Sequence, residues 1–473
     1  MIFDKKDLRS IREGKTGDGE KLNKINFGSK TIITMIFSLF LAWLFSFPFE
    51  GKVLYALAAE AKLTGSLYIF LSLFALGLGL CTSGFFAKRQ PPTQKSMLLT
   101  VGICLGGSLV FFFPMTGLWY FALVLISFFA GVFIGWWGFY LKEYATTKER
   151  KKISALILIC SRLLMIATNL LAKSIPDLGL SLAILYLLAV FLLLFKLDQP
   201  LQQKKAPLAQ EKVAPRELLL PLCAFILFVS INSGFMYRVV KPAFSHFESL
   251  ANFYGWTSYI LALVILRILP QKTNRAYLFD IALKVLGISW LLFLWMDRSI
   301  VSYLLIESTM MGALGVFDLF LFCILGSILD YAVNPAHVLG MGLALNVLGI
   351  LLGGILGQLL MFYFGTAIVA AVGLLLVFAS ILLFPPLNVK LTGLLEHHLF
   401  LIKIQVLSHR KEEKVQLTGK EQQIVELLLH GYTYRAIAEA LFISENTLKY
   451  HTKNLYRKLK VNNKMDLIKL FGK

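Results

Sequence analysis

Long apolar segments dominate this sequence and restrict its fold more than any other feature. A helix needs about 20 mostly apolar residues to cross roughly 30 Å of hydrocarbon. Such segments recur twelve times in a protein that is 57% hydrophobic and 13% aromatic. Because backbone groups inside a bilayer must be satisfied within the chain, each segment is predicted to be a transmembrane helix. The predicted passes lie at about residues 31–49, 64–86, 97–113, 117–141, 153–173, 178–196, 218–239, 250–269, 276–296, 300–329, 338–363 and 366–387.

A polar segment that is interrupted by prolines divides these passes into two sets of six. It reads "KLDQPLQQKKAPLAQEKVAPRE" and extends from Lys196 to Glu217. Such a composition is typical of a linker between two structured parts. We therefore predict an N-terminal segment at 1–30, a first transmembrane half at 31–195, a linker at 196–217, a second half at 218–388, a second linker at 389–416 and a small terminal domain at 417–473.

The basic residues of the short loops predict the orientation, because Lys and Arg are enriched in cytoplasmic loops. The N-terminal segment and the central linker are also basic, and an even number of passes returns the C-terminus to the same side. The loop "LDYAVNPAH" after the tenth pass carries no Lys or Arg. We expect a multi-pass protein of the inner, cytoplasmic membrane with both termini in the cytoplasm. The basic loop residues are Lys88, Arg89, Lys95, Lys148, Arg150, Lys151, Lys152, Arg267, Lys272 and Arg275.

The arrangement of the passes resembles that of the major facilitator superfamily. Two sets of six helices flank a long linker, and "GFFAKR" at Gly84–Arg89 joins the second and third passes. The resemblance implies an all-α polytopic helix bundle. That family's loop signature has an acidic residue where Ala87 or Lys88 stands here, so this sequence departs from the signature.

Polar side chains within the passes are the candidate ligand contacts, because burying a charge in hydrocarbon is costly. Glu307 and Asp318 are eleven residues apart in the tenth pass and share nearly one helical face. Arg162 lies in the fifth pass and Asn346 in the eleventh. These residues either line a cavity for a cationic or hydrogen-bonding ligand or are satisfied by neighbouring helices. The sequence leaves both interpretations open.

Two further patterns concern the packing of the passes. Glycines at intervals of four in the eleventh pass predict a close helix contact. An aromatic cluster in the fourth pass is typical of either a belt at the membrane interface or a ligand-binding wall, and the belt is the commoner of the two. The residues are Gly349, Gly353 and Gly357 in the first pattern, and Trp136, Trp137 and Tyr140 in the second.

From Leu417 the composition changes to that of a small soluble domain with several short amphipathic helices. Thr418 and Glu421 form a capping-box pattern at the start of the first helix, which Gly431 ends. Thr433 starts the second helix, and Ser444 starts the third after the short turn "FIS". Two helices joined by so short a turn predict a helix-turn-helix. A fourth helix begins at Asn462 or Asn463.

This tail closely resembles the LuxR-type DNA-binding domain over about 55 residues. The resemblance rests on "LTGKEQQIVELL", Gly431, "IAEALFISENTLKYH" and "NLYRKLKV". Gly419 stands where Pro is usual and Leu448 where Val is usual. The resemblance implies that the third helix enters the major groove of DNA, where base pairs can be distinguished.

The third helix carries the candidate DNA contacts. Lys449, Lys453 and Arg457 recur every four residues and so form one basic stripe. The resemblance assigns Lys449, Tyr450 and Lys453 to base edges, and Thr447, Arg457 and Lys458 to phosphates. The competing interpretation is that the basic residues merely solvate a surface helix.

These features together predict a membrane-embedded, one-component transcriptional regulator. The expected partners are double-stranded promoter DNA, the lipid bilayer and an unidentified small-molecule ligand, with a homodimer on DNA and RNA polymerase as further candidates. We expect no enzyme, cofactor or metal site, because the sequence contains no nucleophile triad, metal-ligand spacing or nucleotide loop. The alternatives are a secondary transporter with a regulatory DNA-binding tail, and a membrane scaffold that tethers DNA.

Overall fold

In the computed structural model, every regular secondary-structure element of the described residues is a helix. The chain comprises two compact units, Met1–Leu387 and Asn388–Lys473, which are considered separately below. The described residues are 28–49, 51–61, 67–87, 91–113, 116–197, 216–247, 254–269, 275–332, 334–410, 417–429, 432–459, 461, 463–464 and 466–467.

The first half of the membrane unit contains six long helices and one short one. The short helix α2 precedes the second pass and was not predicted, because it is too short to resemble a pass. The helices are α1 (Gly28–Ser46), α2 (Lys52–Glu60), α3 (Leu67–Ala87), α4 (Gln94–Leu109), α5 (Thr116–Tyr144), α6 (Thr147–Ser174) and α7 (Pro176–Leu194).

The described residues of the second half form six helices of 15 or more residues. In the described part of the whole chain, eleven helices are long and apolar enough to cross a membrane, and α9, the eighth predicted pass, is a shorter apolar helix of 15 residues. A π-helical turn at Met236–Val240 extends α8 towards Ala243. The helices are α8 (Arg216–Phe235), α9 (Tyr254–Ile268), α10 (Arg275–Trp295), α11 (Ile300–Ile328), α12 (Pro335–Phe364) and α13 (Thr366–Arg410).

Helix α13 continues beyond the last pass. The sequence predicts that the apolar run stops after Pro385 and Pro386 and that the following segment contains an amphipathic helix. The structure has helix in this segment, and it is continuous with the last pass as one helix of 45 residues that contains both prolines. Proline removes a backbone donor from a helix, but transmembrane helices tolerate it where neighbouring groups satisfy the freed carbonyls.

Helix α12 joins the two halves, because it packs against α3 and α5 of the first half and α8 of the second. Its glycines make this possible. A methyl group added at Gly353 would overlap the carbonyl of Ile231, and one at Gly234 would overlap that of Ile350. The predicted close contact at the glycine strip is therefore confirmed, and its partner is α8.

The predicted aromatic belt in the fourth pass is wrong. Trp136, Trp137 and Tyr140 are buried inside the unit, with at most 7% of any of them exposed. The ring of Trp137 stacks on Phe37 at a centroid distance of 4.4 Å. These aromatic residues fill the interior because α5 packs against α3, α4 and α12.

A polar cluster joins the two halves at one end of the bundle. Arg150 is only 3% exposed, and its Nη2 donates to Asp330 at 2.7 Å. Its Nη1 and Nε donate to the carbonyls of Gly326 at 2.5 Å and Ala145 at 3.0 Å. The loop "LDYAVNPAH", which carries no Lys or Arg, thus lies at the same end as the basic loop between α5 and α6.

Beyond the end of α13, the described residues of the second unit form three short helices that begin at the predicted caps. They are α14 (Gly419–Leu429), α15 (Tyr434–Ala440) and α16 (Glu445–Leu459). Thr418 and Glu421 bond reciprocally, at 2.7 and 3.3 Å. The hydroxyls of Thr433 and Ser444 each accept a backbone N–H three residues ahead. Gly431 and Asn462 lie outside the described residues, whereas Asn463 accepts from the N–H of Asp466.

Candidate DNA interface and membrane cavity

Helix α16 has one buried face and one basic face. Leu448 and Leu455 are fully buried against the small core of the unit, together with Thr452 and Leu459. The side chains of Lys449, Lys453 and Arg457 are exposed on the other side. The predicted basic stripe therefore exists and is open to solvent.

The first turn of α16 places two further candidate contacts at the surface. Tyr450 is 66% exposed, and Thr447 is also exposed. The hydroxyl groups of Thr447 and Ser444 lie 2.7 Å apart, and the N–H of Thr447 donates to Ser444 Oγ. Thr447 therefore belongs to the helix cap, and its remaining hydrogen-bonding capacity is at the helix N-terminus, where anions bind favourably.

The turn between α15 and α16 is tight. Phe442 adopts a positive φ of 53° and is 96% exposed. Its N–H donates to the carbonyl of Glu439, and the N–H of Ile443 donates to that of Ala438. These bonds fix the two helices of the helix-turn-helix relative to each other.

Lys458 differs from the other candidate phosphate contacts. Its Nζ donates to Glu421 Oε2 at 2.7 Å, and the carboxylate of Glu421 is almost completely buried. Burial by itself would raise the pKa of Glu421, but the hydrogen bonds from Lys458 and Thr418 outweigh it and hold the pKa below its ordinary value. Lys458 thus binds α16 to α14, a contact that the sequence analysis missed.

A cavity of about 100 Å³, called the central cavity below, lies between helices of both membrane halves. Three of the four predicted ligand residues line it, namely Arg162, Asp318 and Asn346. The rest of the lining is largely apolar. It comprises Leu41, Leu44, Phe45, Phe49, Leu76, Leu80, Ile134, Leu158, Ser233, Tyr237, Trp256, Tyr259, Met311, Leu314, Phe322, Leu343, Val347 and Ile350.

Arg162 lies among aromatic rings and forms no ion pair with a carboxylate among the described residues, although its charge attracts that of Asp318. Its Cζ is 3.7 Å from the ring centre of Phe45, 4.4 Å from that of Trp256 and 5.2 Å from that of Tyr259. Its Nε is buried without a hydrogen-bond partner among the described residues, and its Nη1 faces the sulfur of Met165 at 3.7 Å. Cation–π contacts stabilise the charge but leave in-plane donors unused.

Asp318 and Asn346 are each held by one hydroxyl group. Tyr259 donates to Asp318 Oδ2 at 2.6 Å, and Ser230 donates to Asn346 Oδ1 at 2.7 Å. Tyr259 therefore contacts both the carboxylate of α11 and the guanidinium of α6.

Glu307 is buried, but it does not line the central cavity. The eleven residues between Glu307 and Asp318 correspond to about 16 Å along a helix. Glu307 Oε1 and the hydroxyl of Tyr303 have no hydrogen-bond partner among the described residues, and Lys241 attracts the Glu307 carboxylate. The structure thus brings three of the predicted ligand residues together and leaves the fourth apart.

The sequence analysis missed the aromatic residues around Arg162. Trp256 and Tyr259 are three residues apart on α9, so they lie on one face, and Phe45 comes from α1. The segment "NFYGWTSYI", which mixes aromatic and polar residues, was the available signal. Within the described residues, no group of three or more His, Cys, Asp or Glu side chains is arranged to hold a metal ion.

Comparison with known proteins identifies the tail. Residues 415–471 match the family model of bacterial regulatory proteins of the luxR family. A putative HTH-type transcriptional regulator in the exeN 3′ region of Aeromonas salmonicida is 46% identical over 56 residues, which are 12% of this chain and 29% of that protein. The response regulator protein TodT of Pseudomonas putida is 40% identical over 63 residues, or 13% of this chain and 28% of that protein. The chain thus spans less than a third of the length of either relative.

Comparison with solved structures identifies the fold of the membrane unit. The human organic anion transporter MFSD10 matches with a TM-score of 0.59 and 13% identity, over 76% of this chain and 99% of that chain. The major facilitator superfamily transporter FucP in the outward conformation matches with a TM-score of 0.58 and 12% identity, over 76% and 98%. The chain therefore combines a LuxR-type helix-turn-helix domain with a membrane domain of the major facilitator fold.

Proposed function

We propose that this protein is a membrane-embedded, one-component transcriptional regulator. Its tail binds promoter DNA, and its membrane domain binds a small molecule that controls transcription. The observation that carries the proposal is the solvent-exposed basic face of α16 in a domain that matches the luxR family.

Charge supports a nucleic-acid partner for the tail. Residues 417–473 contain ten Lys and Arg against five Asp and Glu. Counterion release from DNA favours the binding of such a basic surface. In our proposal, Lys449, Tyr450 and Lys453 contact base edges, while Thr447 and Arg457 contact phosphates. Lys458 is the weaker candidate for a phosphate contact because Glu421 engages its ammonium group.

A promoter footprint tests the DNA-binding part of the proposal. We expect residues 410–473 to protect a site upstream of a neighbouring or controlled gene. Binding as a monomer should be weak because one short helix makes few contacts, whereas two copies on adjacent half-sites should bind more tightly. Failure to protect any site at low salt would contradict the assignment of α16 as a recognition helix.

A topology test asks whether the tail can reach DNA at all. Reporters fused after Glu217 and after Leu387 should both be active in the cytoplasm, because both positions follow an even number of predicted passes. A reporter fused after Phe113, which follows an odd number, is the control and should report the opposite side. A tail on the outer side would rule out promoter binding.

The central cavity supports a ligand-sensing role for the membrane domain. It contains buried polar groups within an apolar wall, which is typical of small-molecule sites. Asp318→Asn should leave DNA binding by the tail intact and alter the transcriptional response to the controlling compound. Glu307→Gln tests whether the fourth predicted residue also contributes, and a normal response would assign Glu307 to packing.

The second candidate function is secondary transport with a regulatory tail. The membrane domain favours it, because its fold is that of solved transporters. Uptake into vesicles that contain the full chain separates the two functions. Accumulation of a compound would support the transporter, and saturable binding without accumulation would support the sensor.

A further inference from the structure

We propose that the central cavity binds a small zwitterion, a molecule with one carboxylate and one ammonium group. This inference rests on the ligand-sensing function proposed above and names the chemical class of the ligand. Arg162 of the first half and Asp318 of the second half carry it, since both line the cavity.

One donor of Arg162, its Nε, has no acceptor in the described part of the protein, although the residue is only 7% exposed. The rest of the guanidinium interacts with the sulfur of Met165 and with Tyr259. Phe45 and Trp256 cover the guanidinium at 3.7 and 4.4 Å but accept no in-plane hydrogen bond. An unsatisfied buried donor is unfavourable, and a planar carboxylate matches the guanidinium fork.

Asp318 provides the complementary end. Its Oδ2 accepts one hydrogen bond from Tyr259 at 2.6 Å. Among the described ion pairs, none joins its carboxylate to Arg162 or to another cationic group. The carboxylate can therefore accept a second donor, and an ammonium group supplies both the donor and the opposite charge.

The charge balance of the cavity selects a ligand without net charge. The lining contains one cationic and one anionic side chain. Outside the lining, Glu307 and Lys241 attract each other. A monoanion or a monocation would leave an uncompensated charge in an environment of low dielectric constant, which is costly. A zwitterion with its carboxylate at Arg162 and its ammonium at Asp318 preserves neutrality and satisfies both residues.

The size of the cavity limits the ligand to a few heavy atoms. Its volume of about 100 Å³ is smaller than the ~150 Å³ of an engineered cavity that admits benzene. Amino acids of two or three carbons fit this limit. Glycine and β-alanine are therefore suitable probes because their charges are separated by different distances, and γ-aminobutyrate, which has one more carbon than β-alanine, tests the upper limit of size.

Binding to the full chain in lipid nanodiscs tests the proposal by calorimetry and thermal unfolding. We expect at least one of the three zwitterions to bind saturably and raise the unfolding temperature. Each zwitterion has two matched compounds that lack one charged group: acetate and methylamine for glycine, propionate and ethylamine for β-alanine, and butyrate and propylamine for γ-aminobutyrate. Each should bind at least about tenfold more weakly than the zwitterion from which it derives, because one charge-assisted contact is lost.

Substitutions within the cavity test the two contacts separately. Arg162→Gln and Asp318→Asn should each weaken zwitterion binding at least about tenfold. The matched controls Arg267→Gln and Asp177→Asn change exposed residues outside the lining and should bind as the parent does. If Arg162→Gln does not fold, Arg162→Lys keeps the charge but loses the planar fork and should still weaken binding.

Three results would overturn the assignment. They are the absence of binding by every zwitterion, binding of a monoanion or monocation as tight as that of its zwitterion, and unchanged binding by both cavity variants. A transcriptional reporter distinguishes this failure from failure of the sensor function. Zwitterion binding without a transcriptional response would contradict the sensor function but support the binding site. A transcriptional response to a compound of another class would support the sensor function but contradict the zwitterion site.

Discussion

Charged side chains occupy opposite places in the tail and in the membrane domain. In the tail, Lys449, Lys453 and Arg457 lie on an exposed face of α16 above an apolar core. In the membrane domain, Arg150, Arg162 and Glu307 are buried among apolar side chains. The exposed charges of the tail can bind a large polyanion in water. The buried charges of the membrane domain each need a specific partner.

The energetic consequence of this difference is a contrast in sensitivity to substitution. An exposed charge is already solvated, so its removal changes stability by about 0–1 kcal/mol. Removing one member of a buried pair leaves an uncompensated charge and costs about 3–5 kcal/mol. Substitutions at buried and at exposed positions can therefore test this contrast.

The buried Arg150 should give the largest loss of stability. Arg150→Ala removes the ion pair with Asp330 and the hydrogen bonds to Gly326 and Ala145. We expect a cost towards the lower end of about 3–5 kcal/mol, because Asp330 is partly exposed. The free energy of unfolding of the full chain in detergent micelles measures it.

Lys30 provides the control for Arg150. Its Nζ lies 2.9 Å from Glu149, the neighbour of Arg150 in sequence, and both side chains are partly exposed. Lys30→Ala should cost about 1 kcal/mol or less. Equal costs for the two variants would show that burial does not distinguish these ion pairs.

The close contact between α8 and α12 should give the next largest effect. A methyl group at Gly353 would overlap the backbone of Ile231, whereas one at Gly354 would lie 3.5 Å from its nearest neighbour, Arg238 Cγ. Gly353→Ala should therefore destabilise the membrane domain by about 1–3 kcal/mol through overpacking. Thermal unfolding compares it with Gly354→Ala, which should be nearly neutral. A reversed order would contradict the described helix contact.

In the tail, substitutions of two basic residues should leave folding unchanged and weaken DNA binding in two different ways. Lys453→Ala should reduce the preference for the operator over random DNA by about 1–3 kcal/mol if Lys453 contacts a base edge. Arg457→Ala should weaken binding to all sequences and reduce its salt dependence, because each phosphate contact releases counterions. Binding to both duplexes across a salt titration measures these effects. Unchanged binding by both variants would instead indicate a protein-interaction surface.

The pH dependence of the tail should show the smallest effect. The pKa of Glu421 lies below its ordinary value of 4.5, so its contribution to stability is present above about pH 4.5 and is lost as pH falls through the lowered pKa. Glu421→Gln removes this contribution. The difference in unfolding free energy between parent and variant, measured on residues 410–473, should be largest at neutral pH and shrink towards pH 3. A difference that is constant with pH would mean that the charge of Glu421 does not stabilise the fold.

The structure of the tail could be predicted almost to the level of individual hydrogen bonds, because the residues that determine its helices are close together in the sequence. Thr418, Thr433 and Ser444 cap helices through bonds to residues three positions ahead, and the buried face of α16 follows from helical periodicity. The contact between Lys458 and Glu421 crosses between two helices, so no local pattern reveals it.

The membrane domain could be predicted only in part because its contacts join distant segments. Polar residues stand out in apolar passes, which is why Arg162, Asp318 and Asn346 were found. Aromatic residues do not stand out there. The sequence therefore did not identify Phe45 and Trp256 as cavity residues. It also wrongly predicted that the buried residues Trp136 and Trp137 lie at the membrane interface. Their environment depends on which helices pack together, and this is not encoded within any one segment.

The position of α12 has a consequence for how the protein is made. Asn334 donates to the carbonyl of Gly84, and Ser83 donates to that of Ala336. The second pass can therefore form these contacts only after a segment some 250 residues later in the chain has been synthesised. At about 5–20 residues per second, roughly 12–50 s of translation separate the two. The first six passes must therefore persist in the membrane for that time with one packing face unfilled. During biogenesis, this is the interval in which lipids, the insertion machinery or a membrane chaperone would have to cover α3.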